Sequence, residues 1–280
     1  MSATSESSCL RLWATGVLTL NQAFAGFGDP LFSVEQAKAA VRPLATRGGG
    51  QRGARLGLRN LPTLGQVESA SLSLLPRLPD TGIEVQEIAR TLHADPQRDV
   101  FLQKEATERR VMEMDLSGKR VIMFATHGLV PGDLDGLTQP ALALTSPEVA
   151  PAGGSGLLTM EEVLSLKLDA DWVVLSACNT AAGEGAGAEA VSGLGRAFFY
   201  AGARALLVSN WPVETVAARL LMTEMFRLQG AEPALLKAEA LRRSMLSLMD
   251  GPGARDGAGR RTLYTYAHPL FWAPFVIVGD

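Results

Sequence analysis

Two reactive side chains, those of His127 and Cys178, each follow a short run of apolar residues. The run at 172–176 is apolar and β-branched, which predicts a strand buried on both faces, and the run at 120–125 predicts a second such strand. A thiol at the carboxyl end of a parallel strand lies where open α/β sheets bind ligands. The alternative is a buried, inert cysteine, since free cysteines are among the most buried residues.

The two side chains together could perform acyl transfer from a peptide bond. Parallel strands end at the same edge of a sheet, so His127 and Cys178 can be close in space despite their separation in sequence. An imidazole beside a thiol can take its proton or stabilise its thiolate. The backbone N–H groups of Gly128 and Cys178 could then form an oxyanion hole. We expect both side chains near the surface; the alternative for His127 is a satisfied core histidine.

The elements that position these residues alternate between strand and helix. Alternation with short connections marked by glycine or proline predicts an α/β fold, with a mostly parallel central sheet and helices on both faces. A threonine at position 81 is expected to cap the second helix, and Thr159 opens a capping box with Glu162. The predicted strands are 23–28, 99–103, 120–125, 141–145, 172–176, 204–209 and 272–278, and the predicted helices are 33–41, 81–93, 107–114, 159–166, 189–201, 213–228 and 234–249.

Composition excludes several classes of protein. The chain has 280 residues, 47% of them hydrophobic, and a net charge of −3, so nothing global indicates binding to nucleic acid or to an anionic membrane. No apolar run reaches the length of a transmembrane helix. With only Cys9 and Cys178, a disulfide framework is not expected, which favours a reducing compartment such as the cytoplasm.

We predict a tail at 1–22 followed by a single domain at 23–280. Residues 10–25 contain an apolar run that ends in a small-x-small pattern, so a signal peptide is the alternative to a tail. Within the domain, 42–60 is rich in glycine and arginine and is interpreted as a solvated loop. The five arginines between Arg42 and Arg59, with no acid among them, leave a phosphate or nucleic-acid contact as the alternative.

Cofactor and metal sites have little support. The chain has three histidines and two cysteines, too few to bring together a zinc site, and we expect no metal and no cofactor. Gly183, Gly185 and Gly187 form a glycine-rich turn between a predicted strand and helix, but the spacing lacks the third glycine position of a dinucleotide loop. A nucleotide-binding α/β protein is therefore a weak alternative.

Five segments, in order along the chain, resemble the CHAT domain, a family of caspase-like cysteine peptidases that often occurs beside TPR repeats. The likeness extends from about residue 23 to 280. The segments are Phe124-Ala-Thr-His-Gly128, Val174-Leu-Ser-Ala-Cys-Asn-Thr-Ala181, Gly193-Leu-Gly-Arg-Ala-Phe-Phe-Tyr-Ala-Gly-Ala203, Val208-Ser-Asn-Trp-Pro212 and His268-Pro-Leu-Phe-Trp-Ala-Pro-Phe275.

The resemblance implies a caspase-like three-layer sandwich and a cysteine endopeptidase, with His127 as base and Cys178 as nucleophile. By the same analogy, Ser209, Asn210 and Trp211 would run beside a bound peptide. It also implies a protein substrate and a regulatory partner of TPR type, since this chain carries no TPR repeats itself. Glu189 matches an acid common in the family, whose role is open. The alternative function is a caspase-fold scaffold that binds partners without turnover.

The resemblance leaves the substrate preference open. Metacaspase relatives place an acid two residues before the cysteine, where it binds a basic side chain; here that position is Ser176, which is uncharged. Asp133, Asp135 and Glu184 lie on predicted loops that could reach the same pocket. A basic residue before the cut is therefore the hypothesis for specificity.

Overall fold

The computed structural model describes residues 24–41, 72–134, 136–176, 186–211, 213–256 and 260–279, with no description of the side chains of 186–192. Several predictions fall outside that part of the chain: those for the 1–22 tail and the 42–60 loop, for Cys9, Cys178, Asp135 and Glu184, and for positions 183–185 of the glycine-rich turn. Glu189 lies within a described helix, but nothing is said of its side chain.

The described elements follow the predicted order. The strands are β1 (Phe24–Gly28), β2 (Val100–Leu102), β3 (Val121–Ala125), β4 (Gly128–Leu129), β5 (Ala141–Ala143), β6 (Leu157–Thr159), β7 (Trp172–Leu175), β8 (Ala205–Ser209), β9 (Ala254–Arg255), β10 (Thr262–Tyr264) and β11 (Phe275–Gly279). The helices are α1 (Val34–Val41), α2 (Pro79–Thr91), α3 (Glu108–Glu113), α4 (Met160–Ser165), α5 (Ala186–Ala201), α6 (Thr215–Ala231) and α7 (Lys237–Met249).

The central sheet has the strand order β11-β8-β7-β3-β1-β2. All its neighbouring strands are parallel except β11, which pairs antiparallel with β8 at one edge. The prediction of a mostly parallel sheet is therefore confirmed. Between β8 and this antiparallel edge strand, the chain passes through α6, α7 and the short strands β9 and β10.

Both faces of this sheet are covered, as the apolar runs predict. Successive residues of β3 alternate between the two faces: Val121, Met123 and Ala125 pack with α2, α6 and α7, whereas Ile122 and Phe124 pack with α4 and α5. Each face thus has its own buried cluster, with a helical layer on either side. This is the three-layer α/β sandwich expected from the sequence.

Local helix signals are partly confirmed. Thr159 caps α4, and the side chain of Glu162 reaches back to the Thr159 backbone, as the capping box predicts. The predicted cap at Thr81 is wrong, because α2 begins at Pro79. Thr81 instead lies in the first turn, where its hydroxyl donates to the carbonyl of Leu78 and accepts from the N–H of Asp29.

A three-stranded sheet, ordered β4-β5-β6, was not predicted in this form. Its strands have two or three residues each, too few for a periodic pattern. It begins directly after His127, and the N–H of Ala143 donates to the His127 carbonyl at 2.9 Å. This hydrogen bond therefore holds the backbone of His127 against β5. No helix in the described part of the chain is long and apolar enough to span a membrane.

Candidate active site

The strands that precede the two reactive residues are direct neighbours in the central sheet. β3 and β7 run parallel with Phe124 opposite Leu175, and the N–H of Ser176 donates to the Phe124 carbonyl at 2.9 Å. His127 follows Phe124 by three positions, and Cys178 follows Leu175 by three. His127 is thus described just beyond this edge of the sheet, whereas Cys178 lies outside the described residues.

His127 is fully buried, with 0% of its surface exposed. The expectation of a histidine near the surface is therefore wrong. Phe32 packs on the imidazole with ring centroids 5.6 Å apart, and Nε2 lies 2.8 Å from the backbone carbonyl of Pro76. A carbonyl can only accept, so Nε2 carries a proton and donates it. When the ring is neutral, its lone pair is then on Nδ1. Nδ1 is thus the atom able to take a proton.

Pro76 is the first functional residue that sequence reasoning missed. Its contribution is a backbone carbonyl, and no side-chain pattern signals that. Hydrogen bonds of this kind fix the tautomer and orientation of a working histidine. The contact therefore resembles the orienting group of a nucleophile–base pair, which is commonly a third residue.

Glu84 is the second residue that was missed. It lies on α2 with 0% exposure, and its Oε1 accepts from the Ser176 hydroxyl at 2.8 Å. Ser176 directly follows β7 and is the last described residue before the thiol. A buried carboxylate therefore contacts the chain just after β7. The sequence did contain a signal for this residue. Glu84 is an acid on the buried side of α2, between Thr81 and Ile88.

The end of β8 lies at the same edge of the sheet, because β8 pairs parallel with β7. The N–H of Asn210 donates to the Pro274 carbonyl at 2.8 Å, and Ser209 pairs with Phe275. Since N–H groups alternate in direction along a strand, the N–H of Ser209 points away from β11 and toward the side where β7 ends. Ser209 is buried, while Asn210 and Trp211 are half-buried.

Two other predicted residues are placed beside β3. Gly128 is the first residue of β4, opposite Leu142, and is half-buried. The Asp133 carboxylate accepts from the N–H of Val130 at 2.7 Å within its own turn. Asp133 thus already caps a turn, while Asp135 and Glu184 lie outside the described residues.

A pair of tyrosines near the start of α6 has altered acidity. Glu214 caps α6 by accepting from the N–H of Ala217 at 2.7 Å. Burial, with the charge of Glu214 as a second cause, raises the pKa of Tyr266 to about 12. Burial and Glu214 also raise the pKa of Tyr264. Both phenols are therefore neutral at physiological pH and are poor candidates for proton transfer to a thiol.

Metal ligation has no support in the described residues, among which no group of three or more metal-binding side chains comes together. The polar groups found there are an imidazole, a carboxylate, hydroxyls and backbone amides. Groups of these types can transfer a proton or form hydrogen bonds with a peptide backbone.

Comparison with known proteins agrees with the fold. The model of the CHAT domain family matches residues 10–280. The tetratricopeptide repeat proteins 28 of Mus musculus and Homo sapiens are each 31% identical over 126 residues, which is 44% of this chain. That match spans only 4% of the length of either relative. Because the family model covers nearly all of the chain, the protein belongs to the CHAT domain family.

Proposed function

We propose that this chain is a cysteine endopeptidase that cleaves a protein substrate with His127 and Cys178. The observation that carries the proposal is the pairing of β3 with β7, in which Phe124 lies opposite Leu175. Two residues at equal distance beyond that pair would meet at one edge of the sheet. Membership of a caspase-like family supports the same assignment.

The reaction would proceed through an acyl-enzyme. Nδ1 of His127 takes the proton of the Cys178 thiol, and the thiolate forms a C–S bond with the scissile carbonyl carbon. The N–H groups of Gly128 and Cys178 would stabilise the oxyanion. When the C–N bond breaks, the imidazolium returns its proton to the leaving amine. Water, deprotonated by the same imidazole, then hydrolyses the thioester and regenerates the thiol.

The substrate would lie in an extended conformation beside β8. The support is the family analogy, which puts Ser209, Asn210 and Trp211 beside a bound peptide, together with their position at the end of β8. Trp211, half-buried after Asn210, would form an apolar wall for one of its side chains. Such pairing binds the backbone of many sequences and leaves selectivity to the side-chain pockets.

The direct test is turnover of a peptide library by wild-type protein and by two variants. Cys178→Ala and His127→Gln should each lower kcat/KM by at least about 1,000-fold, the effect typical of removing a nucleophile or its base. The matched control is Cys9→Ala, which removes the other thiol and should leave turnover unchanged. Cleavage by Cys178→Ala at the wild-type rate would refute the proposal.

A scaffold without turnover is the second candidate, because a fully buried histidine is also what a structural residue would be. Alkylation with iodoacetamide separates the two candidates. In an enzyme, Cys178 reacts faster than Cys9 near pH 7, since a thiol paired with a histidine ionises below the ordinary pKa of about 8.5. Equal, slow labelling of both thiols would favour the scaffold.

We propose a basic residue before the cut as the substrate preference. The support is that the Glu84 carboxylate accepts from Ser176, the position at which metacaspase relatives have an acid. Asp133, Asp135 and Glu184 remain further candidates for the same pocket. A library should prefer lysine or arginine there, and Glu84→Gln should reduce that preference. Equal cleavage after acidic or apolar residues would contradict this.

A protein partner of TPR type is proposed as the regulator. The support is that the family is associated with TPR repeats and that two relatives are tetratricopeptide repeat proteins by name. Peptidase activity of the chain should change at least several-fold when such a protein, encoded beside it, is added. An unrelated TPR protein is the control, and identical activity with both would contradict the proposal.

A further inference from the structure

The carbonyl that orients His127 belongs to a short segment, 75–78, that is anchored on both sides of Pro76. The Gln36 side chain on α1 donates to the Leu75 carbonyl at 2.7 Å. The Pro76 carbonyl faces Nε2 of His127 at 2.8 Å. The next residue, Arg77, forms an ion pair with Asp29. The segment is therefore placed by side chains from other elements, and it holds the imidazole in turn.

Arg77 supplies the stronger anchor. Its guanidinium binds the Asp29 carboxylate with two nitrogens, Nε at 2.8 Å and Nη2 at 2.6 Å. The side chains are only 20% and 5% exposed, so water competes weakly for either partner. A planar, bidentate pair fixes direction as well as distance.

Covalent geometry connects this pair to the catalytic base. The carbonyl of Pro76 and the Cα of Arg77 belong to one planar peptide unit. Holding Arg77 therefore holds the plane in which the Pro76 carbonyl points. That carbonyl accepts from His127. The Asp29–Arg77 pair is therefore connected to the imidazole through one peptide unit and one hydrogen bond.

The backbone around the pair is strained, which a simple surface ion pair would not require. Asp29 and Gln103 both have positive φ angles, 48° and 53°, and the Gln103 amide donates to Asp29 Oδ2 at 3.1 Å. Residues other than glycine are strained in this region, and such strained residues concentrate at functional sites. Two such residues meet at one carboxylate directly after β1.

We propose that Asp29 and Arg77 are positioning residues for His127: they orient the Pro76 carbonyl, which selects the tautomer with its lone pair on Nδ1. This rests on the proposed peptidase function. Loss of the pair frees the carbonyl plane, so the imidazole loses its fixed orientation. The thiol of Cys178 then loses part of its stabilisation as thiolate, while the substrate-binding wall at β8 is untouched.

The experiment measures alkylation of Cys178 by iodoacetamide against pH, with kcat and KM on a cleaved peptide, in a Cys9→Ser background. Arg77→Lys keeps the charge but loses the bidentate geometry, and Arg77→Met loses both. The control is Arg227→Met, which removes another bidentate pair, with Glu224 on α6. If the Arg77 variants do not fold, Gln36→Leu is the alternative, because it removes the contact to the Leu75 carbonyl and leaves the ion pair intact.

In the parent protein the alkylation midpoint should lie well below the ordinary thiol pKa of about 8.5. Arg77→Met should move it toward that value and lower kcat by about 10–100-fold, the cost of a small misplacement of a catalytic group, with KM nearly unchanged. Arg77→Lys should fall between, Gln36→Leu should move in the same direction, and Arg227→Met should match the parent.

Two other outcomes overturn the inference and are distinguishable. If the parent has a lowered midpoint and Arg77→Met keeps both midpoint and kcat, the pair serves stability alone, and the peptidase proposal stands. If the parent itself titrates near 8.5 and cleaves nothing, the peptidase proposal fails, and the positioning role fails with it.

Discussion

The two ends of the central sheet differ in how far their ion-paired and hydrogen-bonded side chains are exposed to solvent. At the amino end, Arg120 and Arg204, each just before a strand, share the carboxylates of Asp169 and Asp171. These side chains are 22–56% exposed. Water can replace each partner there, so the network contributes little to stability and defines no site.

At the carboxyl end, the polar side chains are buried. Asp29, Glu84 and His127 are at most 3% exposed, and each bonds to a residue far away in sequence. A buried polar group that loses its partner cannot form a hydrogen bond with water instead. These hydrogen bonds therefore fix the positions of the side chains. We therefore expect the buried groups at the carboxyl end to matter more for stability and function than the exposed ion pairs at the amino end. Each prediction below tests that difference.

The largest loss of stability is expected for Asp29→Asn. Asparagine tolerates the left-handed backbone at φ 48°, so the change isolates the loss of the carboxylate that Arg77 binds. We expect the free energy of unfolding, from urea titration, to fall by about 2 kcal/mol. The matched control is Asp115→Asn, an exposed acid that bonds only within its own turn. Equal small losses for both variants would erase the contrast between buried and exposed acids.

Ser176→Ala should be the next most damaging change. It removes the hydroxyl that donates to Glu84, leaving a buried carboxylate with one partner fewer, at a cost of about 1.5 kcal/mol in unfolding free energy. Ser165→Ala, which removes an exposed hydroxyl that donates to a helix carbonyl, is the control. A loss no greater than that of the control would mean that the Glu84 contact does not support the site.

Alkaline pH should weaken the fold through Tyr266, whose pKa burial raises to about 12 from an ordinary value near 10. Because the folded-state pKa is the higher one, the stabilisation is complete below pH 10 and is lost as the pH rises from 10 to 12. Tyr266→Phe should flatten that decline in urea unfolding at pH 9 to 11. A decline of the same slope in the variant would assign the effect to other groups.

Asp169→Asn should have the smallest effect. It weakens exposed contacts to Arg120 and Arg204, so the unfolding free energy should fall by less than about 1 kcal/mol, and by less still in 1 M salt. Unfolding in low and high salt measures this directly. A loss larger than that of Asp29→Asn would reverse the comparison between the two ends of the sheet.

Local patterns in the sequence predicted the scaffold well. The apolar runs identified β3 and β7, and alternation of strand with helix identified the parallel sheet, because both depend on neighbours along the chain. The capping box at Thr159 is similarly local. The predicted strand 141–145 contains β5. The antiparallel direction of β11 and the short strands β4 and β6 have no such local signal, so they were missed.

The candidate site was predicted only in part, for the same reason. That β3 and β7 are neighbours and end at one edge of the sheet followed from the topology of parallel strands. That Cys178 meets His127 there stays a prediction. The Pro76 carbonyl, the Glu84 carboxylate and the Asp29–Arg77 pair act through contacts between residues distant in sequence. The burial of His127 likewise depends on Phe32 and on the segment 75–78, whose packing no periodicity reveals.

The most direct test of the account is the distance between Sγ of Cys178 and Nδ1 of His127 in a crystal structure of the protein. The account predicts that the two atoms lie within about 4 Å, the reach of a nucleophile and its base before substrate binds. Sulfur and imidazole on opposite faces of the sheet, or separated by other side chains, would contradict it.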